Sequence, residues 1–264
     1  MIVDSVEVAG RKRTFTLVGA PGAADLILVF HGSKQTGAKH RAFTGGIYDA
    51  LAGDGTAVAY LDGYRGNWND ARRESSFPAR LANIDDVGFT RAVIDQLGAS
   101  RVFGVGYSNG GQMVMRLLHE TPSLLSGAAV IGATMPAPAN FLLPGTAPAP
   151  VPMLLIHGTK DPIVAYEGGE MRWLLRKFFR VGGPMRSMPE TARYFAERNG
   201  VAGEPVTTTL PGTSVERAEW PSVVLYTLHG AGHTVPGPAD APRILGPTNH
   251  DVNAADLVRS ALLG

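Results

Sequence analysis

Six short apolar runs, each ending in a glycine-containing turn, limit what this chain can become more than any other feature. Leu26-Ile27-Leu28-Val29-Phe30 stops at His31-Gly32, and Ala57-Val58-Ala59-Tyr60-Leu61 stops at Asp62-Gly63. Val102-Phe103-Gly104-Val105 stops at Gly106, and Ala128-Ala129-Val130-Ile131 at Gly132. Met153-Leu154-Leu155-Ile156 leads into His157-Gly158, and Val223 to Leu228 into His229-Gly230. Runs this short and this continuous match strands covered on both faces. Helix-period segments lie between them. Ile84, Val87, Ile94 and Leu97 share one stripe, as do Met113, Leu117 and Leu118. Pro189 to Arg198 reads as a helix ended by Asn199-Gly200, and Asn253 can cap a last helix carrying Leu257, Val258 and Leu262. This alternation predicts an α/β fold with a mostly parallel central sheet and helices on both faces. The opening segments, around Val6 and Arg13 to Val18, read as an antiparallel edge hairpin. The Pro- and Ala-rich stretch from Ala133 to Pro152 reads as a surface loop rather than a linker, so residues 1–264 are expected to form one domain.

Composition removes several function classes. With 44% hydrophobic and 18% charged residues the chain can build a sizeable core. A net charge of +1 gives no footprint for nucleic acid. No apolar run reaches the roughly 18 residues of a membrane span. The start, Met1-Ile2-Val3-Asp4-Ser5-Val6-Glu7, lacks a basic region followed by an apolar stretch, which points to the cytoplasm. A secreted or periplasmic protein whose signal had been removed would look the same. The absence of cysteine excludes disulfides, a cysteine nucleophile and thiolate metal sites. No metal and no cofactor is expected.

Gly106-Tyr107-Ser108-Asn109-Gly110 has the form G-x-S-x-G. In a chain with 33 glycines the pentapeptide alone says little; its setting says more. It follows one apolar run directly and precedes an amphipathic helix, the strand–turn–helix context of a nucleophile elbow. Glycine at both ends leaves Ser108 projecting above the sheet edge, and the helix N-terminus favours developing negative charge there. In such a fold an acid and then a histidine follow the serine in chain order. Asp161, in His157-Gly158-Thr159-Lys160-Asp161-Pro162, is the candidate acid, an Asx-turn before Pro162 being its other reading. Asp251 and Asp256 come after the candidate base and fit the order less well. The candidate base is His233, in the loop beyond Val223 to Leu228. His229, at the strand end itself, and His250 are its alternatives, while His31, His119 and His157 read as structural. An oxyanion hole needs two backbone N–H groups, expected from Asn109 and from Ser33 in the His31-Gly32-Ser33 loop.

At these positions the chain resembles the poly(3-hydroxybutyrate) depolymerase and LpqC-like esterases, relatives of feruloyl and acetylxylan esterases in the α/β-hydrolase superfamily. His31 to Thr36 is similar to their HG-x-x-Q-T loop, and Asp85-Asp86-Val87-Gly88-Phe89 to their D-D-V-G-F helix. Gly106 to Gly111 resembles the G-x-S-N-G-G elbow, and His157 to Val164, with Gly168-Gly169 shortly after, the H-G-T-x-D-x-x-V acid loop. Gly232-His233 with Pro236-Gly237 is similar to the G-H-x-W-P-G base loop, and Asn249 with Asp251 to the T-N-x-D turn. The resemblance implies the α/β-hydrolase fold and Ser108, Asp161 and His233 as a triad. Ser33 and His119 stand where these relatives usually carry cysteine, and Val235 stands where they carry tryptophan, which widens the expected pocket.

Trp68, Tyr107, Trp173 and Val235 are the candidate substrate-binding residues. Trp68 lies in Tyr64 to Asn69, just after a strand end, where such sheets bind ligands. Trp173 belongs to Glu170 to Met188, a segment longer than the resemblance leads one to expect. There Met171, Leu174, Leu175 and Phe178 form a stripe flanked by Trp173 and Phe179, with Arg172, Arg176 and Arg180 at four-residue spacing. This fits an ordinary packed helix, a helical lid inserted at 170–188, a homodimer face or a membrane-surface helix; Gly182-Gly183-Pro184 is placed to act as a hinge. The expected activity is hydrolysis of carboxylic esters by a serine esterase. Hydroxyalkanoate oligomers and feruloyl- or acetyl-type esters are the expected substrates. A thioesterase or peptidase would keep the triad and change the leaving group. A non-catalytic binding protein on this fold would ordinarily show a broken triad.

Overall fold

The computed structural model describes residues 1–171 and 173–264. Among the described residues twelve strands form: β1 (Ile2–Val8), β2 (Arg11–Val18), β3 (Asp25–Phe30), β4 (Thr56–Leu61), β5 (Arg101–Tyr107), β6 (Gly127–Ile131), β7 (Met153–Gly158), β8 (Gly169–Glu170), β9 (Pro184–Met185), β10 (Val206–Thr209), β11 (Val215–Trp220) and β12 (Val223–Leu228). Ten of them make one sheet in the order β1-β2-β4-β3-β5-β6-β7-β12-β11-β10, and β8 pairs with β9 separately. From β4 through β12 the six neighbouring strands are parallel, and they are the six apolar runs. The antiparallel hairpin β1–β2 closes one edge, turning at Ala9 and Gly10 with φ of 48° and 70°, the mirror-image turn that suits strand twist. The antiparallel pairs β12–β11 and β11–β10 close the other.

The α-helices among the described residues are α1 (Gly37–Phe43), α2 (Pro78–Leu81), α3 (Asp86–Leu97), α4 (Asn109–Glu120), α5 (Trp173–Phe179), α6 (Met188–Arg198) and α7 (Ala254–Val258), the last continued by a wider helical turn over Arg259–Leu263. Strand β3 shows why its sequence is apolar throughout. Leu26, Leu28 and Phe30 join a core with Val87, Val93, Met113, Leu117 and Phe195 of α3, α4 and α6. Ile27 and Val29 face the opposite way, into a core with Tyr48, Leu51, Ala255 and Val258. The chain thus has the α/β-hydrolase fold, with its parallel sheet covered on both faces. Local signals set the helix ends. Asp85 accepts the Gly88 N–H at the start of α3, and Gly98 ends it at φ 69°. Ser187 and Glu190 form a reciprocal capping box on α6.

Two expectations change. The stretch from Ala133 to Pro152 is not simply a surface loop: Ala133, Thr134, Met135, Asn140 and Phe141 are buried, and Asn140 Nδ2 donates to Gly182 O at 3.0 Å. The Ala137 N–H also donates to Pro184 O at 3.0 Å, so the segment around Gly182 supplies acceptors to this stretch. The basic helix α5 leaves Leu174 and Phe178 of its apolar stripe, and the flanking Trp173, largely exposed, so these residues do not face the core. Arg176 ties α5 to Glu74 at 2.7 Å and to Glu170 at 2.9 Å, and Lys34 Nζ lies 3.6 Å from the Phe178 ring centre. Arg172 and the side chains of Leu175 and Phe179 lie outside the described residues. No helix among the described residues is long and apolar enough to cross a membrane.

Candidate active site

The carboxyl ends of β5, β7 and β12 bring Ser108, Asp161 and His233 together. Ser108 lies between β5 and α4 at φ 53° and ψ −115°, a strained backbone for a residue with a Cβ. Close packing holds that turn. A Cβ on Gly106 would lie 2.4 Å from Gly110 O, and one on Gly110 would lie 2.0 Å from Phe30 O. Only glycine lets the first turn of α4 sit this close to β5 and β3. The Ser108 N–H donates to Ile131 O at 2.8 Å, tying the turn to the end of β6.

The loops after β7 and β12 are zipped together. The Thr159 N–H donates to Leu228 O at 3.0 Å and the Lys160 N–H to Ala231 O at 2.9 Å. This alignment puts His233 Nδ1 2.6 Å from Asp161 Oδ2 and His233 Nε2 2.9 Å from Ser108 Oγ. With Asp161 accepting, Nδ1 carries the proton and Nε2 faces the serine as an acceptor. The second Asp161 oxygen, Oδ1, accepts the N–H groups of Ile163 and Val164, each at 2.8 Å. Burial opposes the charged form of Asp161. Electrostatic attraction to the His233 ring and hydrogen bonds from His157 and His233 outweigh it and hold the carboxyl below the usual carboxylate range. Tyr107 backs the imidazole, its ring centre 5.1 Å away and its hydroxyl donating to His233 O at 2.6 Å. On another side the ring packs against Gly132, where an added Cβ would lie 3.3 Å from it.

Two joined lobes of one cleft meet at Ser108. The larger, about 220 Å³, includes Gln112, Ala133, Met171, Gly183 and Met185 in its wall. The smaller, about 100 Å³, includes Ser33, Phe77, Tyr107, Asn109 and His233. Ser33 and Asn109 therefore border the same space as the serine and the histidine. The side chain of Asn109 points inward, where Oδ1 accepts the Trp68 N–H at 2.9 Å and Nδ2 donates to Asp70 Oδ2 at 2.6 Å. His31 fixes the Ser33 loop. Its Nδ1 donates to Gly32 O at 2.7 Å and its Nε2 accepts the Gly63 N–H at 2.9 Å, while burial lowers its pKa to about 4 and keeps the ring neutral.

Three of the four expected substrate contacts are not where the sequence reading put them. Trp68 is fully buried, its indole N–H donating to His31 O at 2.9 Å, so it braces the Ser33 loop from behind instead of walling the cleft. Val235 is buried in the core that also holds Ile47 and Tyr48, and it borders neither lobe. Trp173 is 70% exposed and borders neither lobe; Met171, two residues earlier, borders both. Tyr107 does border the cleft. His229 is exposed at the strand end, its N–H donating to Ser214 O, and His250 is tied to Gly237 O, so neither approaches Ser108. His119 is structural, donating from Nδ1 to Met115 O and pairing Nε2 with Tyr194 Oη. His157 belongs to the site after all, with Nε2 3.2 Å from Asp161 Oδ2 and 2.9 Å from Val164 O. Sequence reasoning also missed Arg72, which borders both lobes. An aspartate two positions before an arginine, in a loop at the ligand-binding edge of the sheet, is the one signal that could have found it.

Comparison with known proteins supplies the relatives. The Phospholipase/Carboxylesterase family matches residues 69–191. "Putative esterase NocK" of Nocardia uniformis subsp. tsuyamanensis is 31% identical over 98% of this chain and 81% of its own length. Feruloyl esterase B of Piromyces equi is 29% identical over 70% of this chain, which corresponds to 35% of that larger protein. Among solved structures, an acetyl xylan esterase from Aspergillus awamori superposes with a TM-score of 0.60 over 90% of this chain and 96% of that one. At 18% identity that likeness speaks for the fold.

Proposed function

The chain belongs to the esterases of the α/β-hydrolase superfamily, and from that premise we propose that it cleaves carboxylic esters through Ser108, His233 and Asp161. The observation that carries this reading is the unbroken line from Ser108 Oγ through His233 to Asp161, at 2.9 and 2.6 Å, at the junction of the two lobes. His233 Nε2 takes the Ser108 proton as the oxygen attacks the ester carbonyl. The N–H groups of Asn109 and Ser33 receive the oxyanion, and the strained turn at Ser108 holds the nucleophile in position beforehand. Asp161, kept ionised, stabilises the imidazolium. That imidazolium protonates the leaving alcohol and frees it, which leaves the acyl group on Ser108. Water, deprotonated by His233, then attacks the acyl-enzyme; His233 returns the proton to Ser108, and the acid leaves.

The cleft volume supports esters of modest size: feruloyl- or acetyl-type esters, the classes named for one relative and one structural neighbour, or short hydroxyalkanoate oligomers. Met171, Gly182, Gly183 and Met185 support reading the segment 170–188 as one rim of the cleft, and the continuous ten-stranded sheet supports reading residues 1–264 as one catalytic domain. Hydrolysis of p-nitrophenyl acetate, butyrate and octanoate by wild type and Ser108→Ala tests the proposal. The variant is expected to lose about four to six orders of magnitude in kcat. Equal activity in both proteins would remove Ser108 as nucleophile.

A further inference from the structure

A buried cation stands beside the reactive serine with one nitrogen unengaged. Arg72 is 7% exposed and borders both lobes of the cleft. Asp70, fully buried, grips it: the Arg72 N–H donates to Oδ1 at 2.9 Å, Nε to Oδ1 at 3.3 Å and Nη2 to Oδ2 at 2.5 Å. The third guanidinium nitrogen, Nη1, has no acceptor among the described residues and is not fully buried, and the cleft is the space that Arg72 borders.

Asp70 does not belong to Arg72 alone. Its Oδ2 also accepts Asn109 Nδ2 at 2.6 Å, and its Oδ1 lies 4.0 Å from Arg80 Nη2. Arg80 donates to the carbonyls of both Asp70 and Arg72. Two guanidinium groups thus share this one carboxylate. The other carboxylates at the cleft are engaged: Asp161 by His233 and His157, and Glu170 by Arg176 at the rim. A planar, rigidly held fork with free N–H groups suits a carboxylate better than a neutral group.

We infer that Arg72 is a specificity residue that binds a second, carboxylate group on the substrate, a few bonds from the scissile ester. The inference rests on Ser108 being the nucleophile. It predicts that half-esters of dicarboxylic acids, or esters of carboxylate-bearing alcohols, outperform their neutral counterparts of equal length.

The test compares matched pairs. Mono-4-nitrophenyl glutarate is set against 4-nitrophenyl pentanoate, and 4-acetoxybenzoate against its methyl ester, in wild type and Arg72→Gln. In at least one pair, wild type should prefer the charged ester. Arg72→Gln should lower that charged-to-neutral ratio of kcat/KM by about 10- to 100-fold, mainly through KM, the range expected for a charge-assisted hydrogen bond. The ratio reports on Arg72 whatever the substitution does to overall turnover. A ratio unchanged by the substitution in both pairs overturns the inference. Glutarate binding to Ser108→Ala, measured by calorimetry, separates this result from failure of the nucleophile assignment, because binding needs Arg72 and not Ser108. Tighter binding of glutarate than of pentanoate is expected. Should Arg72→Gln not fold, equal binding of the two acids overturns the inference on its own.

Discussion

Asp161 makes more contacts than holding one imidazole requires. Its Oδ2 faces both His233 and His157, and its Oδ1 takes two backbone N–H groups from the turn that follows. Those two N–H groups fix the carboxylate plane, so the His233 tautomer is set before substrate arrives. Asp161→Asn would keep the shape and let the imidazole protonate on the wrong nitrogen. We expect kcat on p-nitrophenyl butyrate to fall by about 10⁴-fold with KM much less affected, since Asp161 acts on the reaction through His233. A loss confined to KM would show that Asp161 shapes the cleft and not the proton path. The three side chains that meet here were legible in the sequence because strand–turn–helix context and chain order are local, one-dimensional signals. Trp68 and Val235 were misjudged because both sit in loops, where no period fixes the direction of a side chain. Arg72 escaped notice because its role depends on Asp70 and Asn109, and the Asn109 contact arises only from the fold.

At the scale of elements, the site depends on how closely α4 is pressed against β3. Gly110 is the contact point, with Phe30 O 2.0 Å from where a Cβ would be. Gly110→Ala would push against backbone that cannot yield without parting helix from strand. We expect a loss of more than about 3 kcal/mol in urea unfolding, or an insoluble protein. Gly145→Ala is the matched control. A Cβ there meets nothing within 4 Å, so its midpoint should stay within about 0.5 kcal/mol of wild type. Equal effects of the two substitutions would refute the packing account of the elbow. The parallel strands were legible for the same reason the packing is tight: a strand covered on both faces admits almost only apolar residues. The far edge was not legible. Strand β11 carries Glu216, Arg217 and Glu219 among its buried Val215, Ala218 and Trp220, and β10 is exposed along its whole length, so neither shows a continuous apolar run.

Across the whole molecule, three buried histidines make stability depend on mildly acidic pH. Burial lowers the pKa of His31 and His119 to about 4 and of His40 to about 3. In the unfolded chain each would titrate near 6.5. As pH falls below that value the unfolded state takes up protons that the folded state refuses, so stability declines down to the folded pKa values. Asp86 works in the opposite sense. Burial raises its carboxyl above the ordinary value despite Arg13, so the folded state holds its proton longer and the net slope is smaller than three histidines alone would give. Asp161, held low, adds a loss only below the ordinary carboxylate range. The expected outcome is an unfolding free energy that falls steadily from pH 7 to pH 4.5. His119 offers the cleanest test, since it lies away from Ser108 and its partners are Met115 O and Tyr194 Oη. His119→Gln removes its proton linkage. Its stability should therefore fall with acid less steeply than wild type, by at most about 1.4 kcal/mol per pH unit, the full linkage of one proton. A variant that tracks wild type in parallel across this range would mean that His119 binds a proton as readily folded as unfolded. The acid sensitivity would then have to come from His31 and His40, which brace the Ser33 loop, and esterase activity should be lost at the same pH as the fold.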